Sequence, residues 1–308
     1  MKFSVLQARL KPWMMPVAIL AGILFHSAID KVAWVVPYLI FTMLLLTFCR
    51  IEPRQLRFSR TMWWLLAIQL GGAVLVYMLL RPVNATLACS AMICIFCPVA
   101  TAAPVVTGML GGNIARVAAF SVLSNLGVAL VAPGLFAWMN PTADISFLDE
   151  FTDISLRVSP MIVLPLLAAL MLRFSAPRVH RALAAAAPVS FYLWSCSLII
   201  VVGRSVSFVM REPAEYWPVM CAMAAVAALI CGCMFFVGKK LGSLDGDRIS
   251  AGQSLGQKNT ILAIWMAMTY LDGITSVGPA AYVIWQNCFN SWQIYRRMNH
   301  KPSRRVSI

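Results

Sequence analysis

The sequence predicts an all-α polytopic membrane protein of ten transmembrane helices in two inverted five-helix repeats, with the fourth and ninth helices broken. Three observations carry that expectation: an extreme apolar composition, apolar runs that recur at the length of a bilayer crossing, and a bias of Lys and Arg to alternate breaks between the runs. Hydrophobic residues make up 61% of the 308 and charged residues only 12%, with a mean hydropathy of +0.80. A water-soluble fold of this composition has too little polar surface to cover its core. The net charge of +14 invites a nucleic-acid partner, but the basic residues fall in short loops between apolar runs and form no continuous face. Topology explains them better, and no nucleic-acid partner is expected.

A crossing needs about 20 apolar residues. In the first half such runs fall at residues 13–28, 32–48, 62–80, 85–111 and 114–139, and in the second at 159–174, 188–210, 219–241, 250–271 and 277–295. Short charged or Gly/Pro-containing breaks separate them. Residues 1–11 are polar and basic, and the run that follows lacks a small-residue cleavage pattern, so no cleaved signal peptide is expected. Of the nine cysteines, Cys89, Cys94, Cys97, Cys196, Cys221, Cys231 and Cys233 lie inside apolar runs and read as small packing residues rather than disulfide partners.

The charge bias fixes the parity. With both termini cytoplasmic, 19 of the 25 Lys and Arg lie at cytoplasmic ends. Five lie outside (Lys31, Arg81, Arg157, Arg204 and Arg211), and Lys258 is intramembrane. A nearly fourfold bias supports an even number of helices in a cell inner (plasma) membrane. The longest outer segment, 140–159, carries Asp144, Asp149, Glu150 and Asp153 and divides the chain. Residues 1–140 form a first five-helix repeat, 141–158 an outer linker and 159–308 a second repeat. Five crossings per half is odd, so the halves insert in opposite orientations, as in inverted-repeat transporters.

Two runs stand out. The fourth reads Cys97-Pro98-Val99-Ala100-Thr101-Ala102-Ala103-Pro104, and each proline removes a backbone donor and disturbs the preceding turn. The ninth opens on Ser250-Ala251-Gly252-Gln253-Ser254-Leu255-Gly256-Gln257-Lys258-Asn259-Thr260, a polar, glycine-punctuated stretch expected to unwind. A lone proline in a membrane helix is commonly a packing kink. Breaks at matching places in two halves instead mark a binding site at the membrane midplane, because irregular backbone at that depth must be buried in protein or line a cavity.

At these residues the chain resembles the bile acid:sodium symporter family, within the superfamily that also holds arsenite effluxers and auxin-efflux-like carriers. Nearly the whole length takes part: ten helices, Gln69 in the third, Cys97-Pro98 opening the crossed part of the fourth, Gly256 and Asn259 in the ninth, and Pro279 followed by Trp285-Gln286-Asn287 in the tenth, similar to the family's Trp-His-Asn. The resemblance implies a core of helices three to five and eight to ten, a panel of one, two, six and seven, and two sodium sites. At those sites the sequence departs. After Thr101-Ala102 the family's polar pair is replaced by Ala103-Pro104, which offers no side-chain oxygen. The family's Glu-x-Gly-x-Gln-Asn is replaced by Ser254-Leu255-Gly256-Gln257-Lys258-Asn259, so the acid has become Ser254 and the glutamine Lys258. Sodium prefers several hard oxygens with a carboxylate, and an ammonium at short range repels it.

Lys258 is the one charged residue placed near the centre of a crossing. A lysine there costs about 2.5–3.5 kcal/mol, so it is a functional candidate by default. With the helix starting at Ser250 it lies about 12 Å deep; a register shift would instead let it snorkel to the cytoplasmic end. At depth, the ammonium would replace the missing sodium and tie the two unwound segments together through carbonyl oxygens, Gln69, Ser121 or Asn259. Desolvation disfavours an ammonium without an acid partner, which allows proton exchange during transport. It could also attract an anionic substrate, helped by half-helix N-termini. The candidate substrate and ion site therefore comprises Lys258, Asn259, Gln257, Ser254, Gln69, Thr101, Pro104, Ser121 and Asn287. His26 reads as a packing residue, Arg116 and Arg204 as interfacial anchors, and Trp13, Trp34, Trp63, Trp64, Trp138 and Trp217 as an aromatic belt.

The expected function is secondary transport of a small or amphipathic organic anion, independent of sodium, with proton coupling an option and no cofactor or metal. No nucleotide-binding loop is present to drive a pump. Arsenite efflux is the runner-up, with Cys97 as its residue to watch, although Cys97 also reads as a packing residue. A membrane enzyme would need an intramembrane acid, metal cluster or nucleophile–base pair, and the sequence shows no such set. A non-transporting sensor on the same fold usually carries a signalling domain, which 308 residues do not accommodate.

Overall fold

The computed structural model describes residues 17–51, 58–139, 147–186, 189–211 and 213–299. Among these the chain is almost wholly helical, and its one β feature is an isolated bridge. The helices in order are α1 (17–24), α2 (His26–Ile29), α3 (Val36–Arg50), α4 (Arg60–Leu80), α5 (Ala85–Phe96), α6 (Ala103–Met109), α7 (Ile114–Met139), α8 (Phe147–Ser175), α9 (Pro177–Ala185), α10 (Ser190–Arg211), α11 (Trp217–Gly242), α12 (Arg248–Gly256), α13 (Thr260–Tyr270) and α14 (Val277–Asn299). The basic N-terminus, Trp13 and the last arginines lie outside the described residues.

The surface is far more apolar than that of a water-soluble protein, and the interior, although mostly apolar, also holds polar groups. Leu130, Phe174, Leu229 and Phe236 are exposed, as are Trp34, Trp63, Trp64, Trp138 and Trp217, while Gln69, Ser124, Asn125, Gln253 and Lys258 are fully buried. Such a pattern suits a solvent of lipid chains, in which apolar side chains lose nothing by facing outward. Among the described residues, four stretches are long and apolar enough to cross a bilayer: Lys31–Arg50, Arg60–Leu80, Ile114–Met139 and Ala214–Asp245. The apolar α5 and α13, with 12 and 11 residues, are each about half a crossing long.

Two parts of the chain differ from the sequence expectation. α8 starts at Phe147, inside the stretch expected to be an outer linker. The acids there suggested a loop, but the segment is amphipathic, and Phe151 lies beside Gly134 of α7. α9 was not expected at all. It is a short helix with Arg178 and Arg181 exposed and with Leu183 and Ala184 packed on the core. It is too short to cross, so a search for bilayer-length runs passes over it.

α11 and α12 approach closely because small residues face each other. A Cβ on Gly238 would sit 2.5 Å from the Ala251 carbonyl oxygen, and one on Gly242 would overlap the Asp247 backbone. Close backbone approach of this kind is the usual device of helix pairs in lipid. Gly238→Val is expected to lower stability by about 1–3 kcal/mol by overpacking this seam, seen as a lower thermal midpoint in detergent. Val226→Ala, at a partly buried position on the same helix, is expected to cost less.

Candidate functional site

α5 ends where Pro98 withdraws a backbone donor. Cys97 N still closes the last turn on Ile93 O at 3.1 Å, and the chain then runs extended. Pro104 does not break the helix a second time; it occupies the first turn of α6, where a missing N–H costs nothing. The other interruption is shorter than the sequence suggested. Ser250 to Gly256 remain helical, and only Gln257 to Asn259 are extended. The glycines expected to unwind this stretch serve close packing instead: Gly252 lies under the Lys239 side chain and Gly256 against the Phe235 ring.

The two extended links pair with each other. Val99 and Lys258 form an antiparallel bridge, with Ala100 N bonded to Gln257 O at 3.1 Å and Asn259 N to Pro98 O at 2.7 Å. This satisfies backbone groups that neither half-helix can pair. It also brings the C-terminal ends of α5 and α12 to one place, and each carries partial negative charge. Neutral donors cover part of it. Gln69 Nε2 donates to Phe96 O at 2.9 Å and Cys97 O at 3.1 Å while its Oε1 accepts from Ser124 Oγ. Tyr282 donates to Gly256 O at 2.9 Å, and the Cys97 thiol to Asn259 O at 3.0 Å.

Lys258 sits in the bridge with 1% of its surface exposed. Its backbone N–H donates to Gln286 Oε1 at 2.9 Å, and its Nζ makes no hydrogen bond among the described residues. Cys94 and Cys97, on the last turn of α5 and just beyond it, lie within electrostatic range of the amine. The partners expected for it are engaged elsewhere: Gln69 on the α5 carbonyls, Ser121 as acceptor for Asn125 Nδ2 of its own helix, at 2.7 Å to its carbonyl and 3.5 Å to its hydroxyl, and the Asn259 side chain in capping Leu262 N at 3.3 Å. Helix ends take these polar groups because a buried orphan carbonyl or N–H is itself costly.

Beside the bridge opens a recess of about 430 Å³, open space included. Lys258 lines it together with Thr101, Thr260 and the amide residues Gln257, Asn259, Gln286, Asn287 and Asn290, and Val106 is its largest apolar side chain. Asn287 is half-buried and donates to Val283 O of its own helix at 2.7 Å. Ser254 faces a different recess, of about 210 Å³, with Thr61, Arg116 and Ser250, because α12 is still helical there and turns it away from the bridge. Pro104 lines neither.

Arg116 is more than an interfacial anchor. It pairs with Asp245 and, at 3.4 Å, with Asp247, and it donates to Ser59 Oγ at 3.1 Å; Asp245 also accepts from Thr61. The cluster joins the starts of α4, α7 and α12. His26 is a satisfied packing residue, 3.1 Å from Ser207 Oγ.

The sequence did not single out Ser124, Tyr282, Gln253 or Asn290 as site residues. Of these, Asn290 carried a signal: Gln286, Asn290 and Gln293 recur at helical spacing and are all buried. No family model matches the chain, and no curated protein matches it significantly.

Proposed function

We propose that the chain is a secondary carrier of the inner membrane, not an enzyme, that moves a small organic anion without sodium, with Lys258 in the place of a bound cation. The observation that carries this is the antiparallel pairing of two interrupted helices around a buried lysine. A carrier that alternates its access needs a site held by backbone that is not locked into a continuous helix, and interrupted helices supply it. In this reading α5–α6 and α12–α13 are the broken fourth and ninth crossings of two inverted five-helix repeats, with both termini cytoplasmic, and the resemblance to bile acid:sodium symporters points the same way. The converging C-terminal ends of α5 and α12 are suited to a cation, and an ammonium on a tether occupies that place without dissociating.

The wall of the recess favours a small carboxylate over a bile-acid-like amphiphile. Sites for large apolar ligands are lined by aromatic and aliphatic side chains, whereas this one is lined by amide residues, two threonines and Lys258. The test is uptake into sealed liposomes for a panel of short carboxylates and taurocholate, with and without sodium. Sodium-free uptake of a short carboxylate is the expected result. Uptake that requires sodium, or no uptake of any panel member, overturns the proposal.

Sodium is likewise expected to leave the thermal midpoint unchanged relative to potassium or choline. A bound ion at 100 times its dissociation constant would add about 2.7 kcal/mol, so a saturable rise specific to sodium would contradict Lys258 as its replacement.

A further inference from the structure

Gln286 and Asn290 of the recess wall also belong to a buried polar stripe behind it. On α14, Gln286, Asn290 and Gln293 follow at intervals of four and three residues, which puts them on one stripe, and all three are buried. Gln253 of α12, with no exposed surface, faces the stripe and donates through Nε2 to Asn290 Oδ1 at 3.2 Å. One helical turn past Gln293 comes Arg297, whose guanidinium lies directly on Gly111 in the turn between α6 and α7. Gly111 has φ +69°, and a Cβ there would collide with that guanidinium.

Two amides of this ladder keep an unpaired buried atom among the described residues: Gln253 Oε1, an acceptor, and Gln293 Nε2, a donor. Amides kept only for packing between helices would be expected to pair with each other, because an unmade buried hydrogen bond is costly. Here one atom seeks a donor and the other an acceptor. Exchanging O and N in both amides together only swaps which of the two seeks the donor.

We propose that Gln253, Asn290 and Gln293 form a subsite, continuous with the recess, for a short carboxylate that also carries a hydrogen-bond donor, namely a hydroxy- or amino-carboxylate, and that Arg297 on Gly111 closes its far end. This rests on the carrier reading and narrows its substrate. The carboxylate accepts from the Gln293 amide, and the ligand's hydroxyl or ammonium donates to Gln253. Arg297 adds a positive charge at the far end, and it contributes a guanidinium suited to carboxylates when that end opens.

The experiment places single cysteines in the full-length protein in membranes and reads their alkylation by N-ethylmaleimide peptide by peptide. The reagent needs a thiolate, which forms in water and not in lipid or a dry core. Val106→Cys, in the wall of the recess and outside the three amides, is expected to label, to be protected by lactate, to remain unprotected by propionate, which lacks the hydroxyl, and to lose the lactate protection when Gln293→Leu is added. Trp292→Cys, at an exposed position on the neighbouring face, should stay unlabelled, and Ser243→Cys, in the turn after α11, should label regardless of solute. Labelling of Cys at 106 at least ten times slower with saturating lactate supports the proposal. No labelling at 106 while 243 reacts, equal protection by propionate, no protection by lactate, or protection that survives Gln293→Leu, overturns it. Sodium-free uptake of another carboxylate in the liposome panel would leave the carrier standing in each of those cases, whereas no uptake with a labelled, protected recess would remove the carrier and keep the site.

Discussion

Gln69→Leu is expected to lower stability by about 2–5 kcal/mol, the largest loss from any single side chain that does not itself carry charge. The amide is fully buried and makes three hydrogen bonds: two donated to the Phe96 and Cys97 carbonyls and one accepted from Ser124. Leucine fills much of the volume but leaves two carbonyls at the end of α5 and one hydroxyl without that partner, at about 1–3 kcal/mol for each group left unsatisfied. Because the lost bonds hold the break in α5, the damage should extend to the bridge, and amide hydrogen exchange at Ala100 and Asn259 should quicken. Ser124→Ala removes only one of the three and should cost about 1 kcal/mol. Thermal midpoints of the two variants in detergent measure the difference; equal midpoints would show that Gln69 does not cap α5.

Much of this site is legible in the sequence because its main devices are local. Pro98 stops a helix wherever it stands, and a lone lysine in an apolar run is conspicuous. Gly252 and Gly256 mislead for a physical reason: the same residue serves unwinding and close packing, and only the Lys239 and Phe235 side chains decide between them. Ser124 and Tyr282 are illegible for another. They act on α4 and α12 across 55 and 26 residues of chain, and a serine or tyrosine within a helix carries no mark of the distant atom it bonds. Ser121 was named where Ser124 does the bonding; three residues along a helix are enough to turn a side chain to a different neighbour. The polar stripe of α14 lay open to periodicity, but attention to Trp285-Gln286-Asn287 as a motif hid the spacing that runs through Asn290 and Gln293.

Lys258 is expected to have the greatest effect on transport. Its side chain is buried beside the end of α5, and its backbone forms the bridge on which the recess is built. Methionine matches its length and suits an apolar surrounding, so Lys258→Met should leave a folded protein whose thermal midpoint is unchanged or higher, since a buried charge without a paired acid is costly to keep. What it removes is the positive charge at two helix C-termini, and with it the arrangement of the links that solute binding requires. Lys258→Arg separates two roles. A guanidinium stays protonated at any workable pH, so rescue by arginine marks a fixed charge, whereas failure of both variants is the outcome for a lysine that exchanges its proton during transport. The direct measurement is sodium-free uptake into sealed liposomes by wild type and Lys258→Met, reconstituted to equal amounts and checked for monodispersity. Uptake at the level of empty liposomes for the variant, with robust uptake by wild type, is the predicted result; wild-type uptake by Lys258→Met would show that the buried charge is not used and would contradict the account.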